Sequence, residues 1–208
     1  MEHAPTWLTY GFLYLSAAVL AVPLAKALVA GGVRVLEVTL RTDAGLESIR
    51  RMIAEVPGAI VGAGTVLTGA QLDQVARLGA AFAVSPGTTP SLLDAAKDSP
   101  VPLLPGTATA SEVMNVLERG YTYMKLFPAE ASGGIDKLSS LASPLPAAKF
   151  CPTGGIDPEK AKRYLTLPNV VCVGGSWLVP RDVVRQGDWT RITELARGTA
   201  ALRKGAAQ

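Results

Sequence analysis

The sequence predicts an α/β chain closed into a single (β/α)8 TIM barrel. Three observations carry that expectation. Short apolar runs rich in Val, Ile and aromatic residues recur about every 20 residues, and about eight can be counted. Helical patterns separate them, which points to parallel βαβ units. A length of 208 residues holds eight such units at the small end of the barrel's size range. A doubly wound open sheet is the rival arrangement, weakened because no GxGxxG loop follows the first run.

The elements follow in order. The first apolar run, residues 12–15, leads into an unusually apolar helix from about Ala17, uncharged until Lys26, which stops at Gly31-Gly32. The second run covers 33–40. The helix over 43–55 carries Leu46, Ile49, Met52 and Ile53 at a spacing of three to four. The third run is 59–67, and Thr68 is the expected N-cap of a helix over 69–78. Runs at 82–85, 102–104, 123–127, 149–152 and 170–178 complete the strands. Helices are expected at 90–96, 110–119, 135–141 and 158–165, the last with Pro158 in its first turn. A final helix is expected over 188–204. No linker or shift in composition divides the chain, so residues 1–208 read as one domain, with 1–10 a short N-terminal extension.

Composition narrows the chemistry. Twenty basic against seventeen acidic residues give a net charge of +3, scattered rather than clustered, so a nucleic-acid partner is not expected. The only histidine is His3, which removes most zinc sites and histidine-based nucleophile activation. Acid–base work therefore falls to carboxylates, lysines or tyrosines. Cys151 and Cys172 lack a CxxC spacing or a neighbouring histidine and read as small core residues in a reducing, cytoplasmic setting. Residues 4–25 carry no charge, and 7–24 are long enough to be weighed as a membrane span. Gly11 and Pro23 interrupt that stretch and no Lys or Arg precedes it, so a buried strand and helix are expected instead.

In such a barrel the site lies past the carboxyl ends of the strands. Lys125 stands inside the apolar run Tyr-Met-Lys-Leu-Phe-Pro. A buried lysine is either functional or paired, and desolvation favours the neutral amine that attacks a ketone to form a Schiff base. A lysine on a sheet edge reaching solvent is the alternative. Glu37 is likewise an acid inside an apolar run, either a proton shuttle or a salt-bridge partner of Lys125 or Arg41. Arg41 suits a carboxylate or phosphate, or is simply a solvated loop arginine. Thr153-Gly154-Gly155 and Gly174-Gly175-Ser176 follow the last two runs, where barrels commonly bind phosphate through backbone N–H groups.

These residues fall within stretches that together resemble one family. The stretches are Leu-Glu-Val-Thr-Leu-Arg-Thr from Leu36, Val-Gly-Ala-Gly-Thr-Val-Leu from Val61, Val-Ser-Pro-Gly from Val84 and Leu-Leu-Pro-Gly from Leu103. They continue with Lys-Leu-Phe-Pro-Ala-Glu-Ala-Ser-Gly-Gly from Lys125, Phe-Cys-Pro-Thr-Gly-Gly-Ile from Phe150 and Gly-Gly-Ser-Trp from Gly174. From about Val22 onward the chain is similar to the aldolases of 2-keto-3-deoxy-6-phosphogluconate (KDPG) and 4-hydroxy-2-oxoglutarate (KHG). The resemblance implies a class I aldolase on a (β/α)8 barrel, a homotrimer acting on small 2-keto acids without metal or organic cofactor. By it, Lys125 is the Schiff-base lysine and Glu37 the general acid/base. Arg41, Thr65 and Thr153 hold the pyruvate carboxylate and hydroxyl region, and Pro86 and Phe127 line the pocket. Gly154, Gly155, Gly174, Gly175 and Ser176 form the phosphate end of the substrate site.

The N-terminus departs from that family's pattern. Residues 16–21 carry no charge where the family's first barrel helix has a polar outer face, and Gly11 replaces a proline. An apolar helix left in water marks an interface or a liability. Ala17, Val19 and Leu20 are therefore expected at a contact between trimers or with a second protein chain. Two other readings remain at this point. One is an aldolase-derived trimeric scaffold, natural or engineered, that assembles through this helix with catalysis incidental. The other is a membrane anchor over 7–24.

Overall fold

Most of the apolar runs have the β-branched and aromatic content that suits a half-buried pleated surface; residues 102–104, Pro-Leu-Leu, are the exception. The structure, a computed structural model, describes residues 9–13, 18–199 and 202. Nine strands are formed among them: β1 (Thr9–Leu13), β2 (Val35–Thr39), β3 (Ile60–Gly64), β4 (Ala83–Val84), β5 (Leu103–Leu104), β6 (Gly106–Thr107), β7 (Tyr123–Leu126), β8 (Lys149–Pro152) and β9 (Val173–Gly175). Every strand pairing is parallel. One sheet runs β5-β4-β3-β2-β1-β9 and the other β6-β7-β8.

Two seams join these sheets into a closed barrel. Pro105 separates β5 from β6, because proline has no N–H to give a ladder. Its carbonyl still accepts from Lys125 N at 2.8 Å, so β5 and β6 are two halves of one broken fifth strand. On the other side, bridges Phe150↔Val170 and Thr153↔Gly174 tie β8 to the approach and middle of β9. Eight strand positions therefore close on themselves, as expected for a (β/α)8 barrel.

The helices are α1 (Ala21–Ala30), α2 (Ala44–Glu55), α3 (Gly69–Arg77), α4 (Pro90–Lys97), α5 (Ala110–Glu118), α6 (Gly134–Ala142), α7 (Pro158–Tyr164), α8 (Arg181–Gln186) and α9 (Trp189–Gly198). Thr68, Thr89, Thr109, Asp157 and Asp188 each accept a backbone N–H at a helix start, which satisfies donors that the helix cannot. Thr109 and Glu112 complete a reciprocal capping box. A single apolar core lies between the strands and the helices, with Leu13, Leu28, Leu36, Ile49, Met52, Met124 and Phe150 fully enclosed.

Several expectations shift. The first strand begins at Thr9, earlier than residue 12, so Thr9 and Tyr10 of the supposed extension belong to β1. The helix expected over 188–204 corresponds to α9, and α8 precedes it where no helix is expected. Gly187, at φ +69°, occupies the left-handed region that ends α8, and Asp188 caps α9. The helix from Ala17 begins with a 3-10 turn, Ala18–Leu20, and becomes α-helical at Ala21.

The apolar face of α1, whose one charged residue is the exposed Lys26, is covered by protein. Ala21, Val22, Leu24, Ala25, Ala27 and Leu28 are all buried, because α1 packs against α2 on one side and α9 on the other. A Cβ on Gly31 would lie 2.3 Å from Ala196 Cβ and 2.6 Å from the Thr193 carbonyl, so glycine is required for α9 to approach. Thr193 Oγ1 also donates to the Ala27 carbonyl at 3.0 Å. The expectation of an apolar helix exposed to water is thus corrected: Val19, 65% exposed, is the large apolar side chain left outside in this stretch. Leu20 is half-buried against the core, and Ala17 lies outside the described residues. Among the described residues no helix is long and apolar enough to cross a membrane.

Candidate active site

Parallel strands put all their carboxyl ends on one rim, and a pleated strand turns alternate side chains to opposite faces. In β2, Leu36 and Val38 join the apolar core. That leaves Glu37 and Thr39 for the barrel interior. In β7 the same alternation sends Met124 and Leu126 to the core and Lys125 inward. Lys125 and Glu37 meet across the barrel: Lys125 Nζ donates to Glu37 Oε1 at 3.3 Å. Their side chains are 3% and 0% exposed. The ring of Phe127 lies 5.2 Å from Lys125 Nζ, in cation–π range.

The Glu37 carboxylate is held by shape. Gly64 ends β3 beside Thr39 of β2. A Cβ at Gly64 would stand 2.1 Å from Glu37 Oε1 and 2.7 Å from its Cδ, so the carboxylate occupies space that only a glycine leaves. Glu37 Oε2 and Thr39 Oγ1 are buried and meet no hydrogen-bonding partner in the protein. Orphaned polar atoms of this kind call for a ligand or water. The sequence places Thr39 at the carboxyl end of the second apolar run without assigning it a role. Its signal was present, as a hydroxyl two residues on from an inward glutamate in the same strand.

The remaining candidates sit along the same rim. Arg41, just beyond β2, donates from Nε to Thr65 Oγ1 at 3.2 Å. Thr65 adopts φ +58°, an uncommon left-handed conformation for a branched residue and a strain that clusters at functional sites. Pro86 follows β4 beside Gly106, whose N–H donates to the buried Ser85 Oγ at 3.2 Å. Phe127 follows β7, and Thr153 follows β8 with its side chain buried. The bridge Thr153↔Gly174 sets the two glycine loops side by side. Gly154 and Gly155 have φ of +107° and +78°. Gly174 and Gly175 are buried within β9, and Ser176 is exposed just past it. A Cβ at Gly175 would lie 1.6 Å from the Trp177 ring, so this glycine lets the indole fold back over the strand.

Cys151 stands opposite Lys125 in the β7–β8 register and is buried. Both cysteines are free thiols, with Sγ atoms 2.9 Å apart, and Cys172 is half-buried. Burial, and then the Cys172 contact, push the Cys151 thiol well above the ordinary thiol range, which keeps it protonated. Among the described residues no group of three or more His, Cys, Asp or Glu side chains could hold a metal ion.

A family model described as "Aldolase: KDPG and KHG aldolase" matches residues 12–195. A 2-dehydro-3-deoxy-phosphogluconate aldolase of Pseudoalteromonas atlantica is 56% identical over 181 residues, spanning 87% of this chain and 84% of that one. A KHG/KDPG aldolase of Escherichia coli is 56% identical over 177 residues, 85% of this chain and 83% of its own. The crystal structure of a KDPG aldolase from Legionella pneumophila superposes with a TM-score of 0.91 at 45% identity, covering 94% of this chain and 95% of that one. That protein was captured with pyruvate as a covalent carbinolamine intermediate.

The fit of Gly64 to Glu37 yields a stability test. Gly64→Ala overpacks the spot and should cost about 1–3 kcal/mol in urea unfolding. In a Glu37→Ala background the same change should cost much less, because the colliding carboxylate is gone. Equal losses in the two backgrounds would show that Gly64 is not shaped around Glu37.

Proposed function

The chain belongs to the KDPG and KHG aldolase family, and we propose on that premise that it is a class I aldolase. It cleaves 2-keto-3-deoxy-6-phosphogluconate to pyruvate and glyceraldehyde 3-phosphate, and 4-hydroxy-2-oxoglutarate to pyruvate and glyoxylate. The buried Lys125–Glu37 pair is the observation that carries this reading. A cation and a carboxylate enclosed 3.3 Å apart are costly unless used together, and their chemistry is that of a Schiff base and its proton shuttle.

The steps follow from the geometry. Glu37 takes a proton from Lys125, and the neutral amine adds to the C2 ketone. Loss of water gives an iminium, with the proton needed for that departure returned by Glu37. The iminium withdraws electrons from the C3–C4 bond. A water held between Glu37 Oε2 and Thr39 Oγ1, both lacking protein partners, carries the C4 hydroxyl proton to Glu37. The C3–C4 pair flows into the enamine and the aldehyde leaves. Glu37 then returns the proton to C3, and hydrolysis of the iminium frees pyruvate and Lys125.

In this reading Arg41 and Thr65 bind the carboxylate beside the ketone, with Thr153 near the hydroxyl region. Pro86 and Phe127 wall the pocket. The phosphate rests on Gly154, Gly155, Gly174, Gly175 and Ser176. Positive φ at Gly154 and Gly155 supports the close approach of backbone to an anion. The whole chain is read as one barrel domain with a short segment before β1. The active form is inferred to be a cytoplasmic homotrimer.

A second reading rests on the 65% exposure of Val19. An exposed valine beside the half-buried Leu20 offers a small apolar contact for association beyond the trimer or with another chain. Its area is modest, since α1 is otherwise covered by α2 and α9. That arrangement favours the enzyme over the pure scaffold.

Two outcomes are expected. Glu37→Gln retains the carbonyl-trapping lysine but loses about 10²–10⁴-fold in turnover of 2-keto-3-deoxy-6-phosphogluconate, followed by pyruvate release. Turnover within about threefold of the parent would reduce Glu37 to a structural role. In light scattering the parent should be a trimer at micromolar concentration, and any larger particle should vanish in Val19→Glu. Larger particles that survive this change would locate the contact elsewhere.

A further inference from the structure

The turn after β8 has three consecutive carbonyls engaged by hydrogen bonds. Thr153 O accepts from Ala129 N at 2.9 Å, Gly154 O from Glu130 N at 3.2 Å and Gly155 O from Lys160 Nζ at 3.1 Å. These peptides are trans, which sets each N–H opposite the carbonyl of its own unit. The N–H groups of Gly154, Gly155 and Ile156 therefore point away from those donors. Successive N–H groups turned to one side form an anion-binding concavity.

The first two clamps are backbone. The third is a side chain, and Glu130 fixes it. Glu130 Oε2 pairs with Lys160 Nζ at 2.8 Å, while its Oε1 accepts from the hydroxyl of the fully buried Tyr164. Burial raises the Glu130 carboxyl, but the hydrogen bonds from Lys160 and Tyr164 outweigh it and hold the group below the usual carboxylate range. Glu130 thus stays charged and keeps the lysine in place. Fit reinforces this: a Cβ on Gly155 would lie 2.8 Å from Glu130 Cγ, so the turn and the glutamate pack directly together.

We propose that Glu130 is a positioning residue for the phosphoryl end of the substrate. Acting through Lys160, it locks the Gly155–Ile156 peptide so that the Ile156 N–H completes a three-donor cradle with Gly154 and Gly155. The inference rests on the reading of this turn as part of the phosphate site. It assigns selectivity for phosphorylated over unphosphorylated aldols to a triad that touches no substrate atom. A direct rival is that Lys160 itself binds the phosphate.

The test compares Glu130→Gln, Lys160→Met and Tyr164→Phe with the parent on both aldol substrates, with inorganic phosphate as a competitive inhibitor. Losing a charge-assisted hydrogen bond should raise KM for the phosphorylated substrate and the phosphate inhibition constant about tenfold in Glu130→Gln. Lys160→Met should behave alike, and Tyr164→Phe should show a smaller shift in the same direction. In all three, kcat and every parameter for 4-hydroxy-2-oxoglutarate should stay within about twofold of the parent. Unchanged KM in Glu130→Gln overturns the proposal, as do equal losses on both substrates. Tighter phosphate binding in Glu130→Gln with weaker binding in Lys160→Met also overturns it, in favour of direct contact by the lysine. If inorganic phosphate does not compete even in the parent, the cradle itself is misplaced and the inference falls with it.

Discussion

Taking a lysine and a glutamate out of water costs several kcal/mol for each ion, and their mutual attraction offsets this only when the geometry is good. The barrel encloses such a pair at its centre, 3.3 Å apart. Much of the local structure accommodates it. β2 and β7 face each other across the interior and aim their odd charged residue inward. Gly64 leaves room for the carboxylate, and Phe127 offers a ring face to the ammonium. The pair is incompletely satisfied, because Glu37 Oε2 and Thr39 Oγ1 meet no protein group. A site that had evolved for stability alone would have filled those positions or replaced the pair with apolar side chains. Retaining a buried, under-satisfied ion pair suits the proposed roles, a Schiff-base lysine beside a proton-shuttling carboxylate.

The rim then divides into two halves by chemistry. On the β2–β3 side, Arg41 and Thr65 bring a guanidinium and a strained hydroxyl together, suited to a carboxylate. Across the barrel, the loops after β8 and β9 bring backbone rather than side-chain donors, suited to a phosphate. In the proposed reading a substrate spans the two, with its reacting carbons over Lys125. The seam between β8 and β9, joined by bridges rather than a continuous ladder, is where the glycine loops meet. Its sparse pairing leaves Gly154 and Gly155 outside any strand ladder.

Much of this was legible in the sequence because burial and charge conflict so sharply there. A lysine and a glutamate inside apolar runs are improbable as plain core, and both proved to be the interior pair. Helix starts were legible where Thr68 and Pro158 supplied local capping chemistry. What could not be read depended on contacts distant in the chain. The apolar stretch leading through α1, uncharged until Lys26, looked like an exposed liability because nothing local says that α9 will cover it, yet Thr193 reaches the Ala27 carbonyl across 166 residues. The break in the fifth strand needed a partner for the Pro105 carbonyl, which β7 supplies. The Glu130–Lys160–Tyr164 triad gave no periodic signal, since its members meet only after β7, β8 and α7 are in place. The short α8 lies between the last apolar run and the final expected helix, where no helix is expected, and Gly187 marks where it ends before α9 begins.

Covalent capture at Lys125 tests the central claim most directly. The parent protein, incubated with pyruvate and reduced with borohydride, should gain one reduced pyruvyl group per chain, and peptide mapping should place it on Lys125. Lys125→Met, with its barrel intact by circular dichroism, should gain none. A pyruvyl adduct that persists in Lys125→Met, or that maps to another lysine of the parent, would contradict the account.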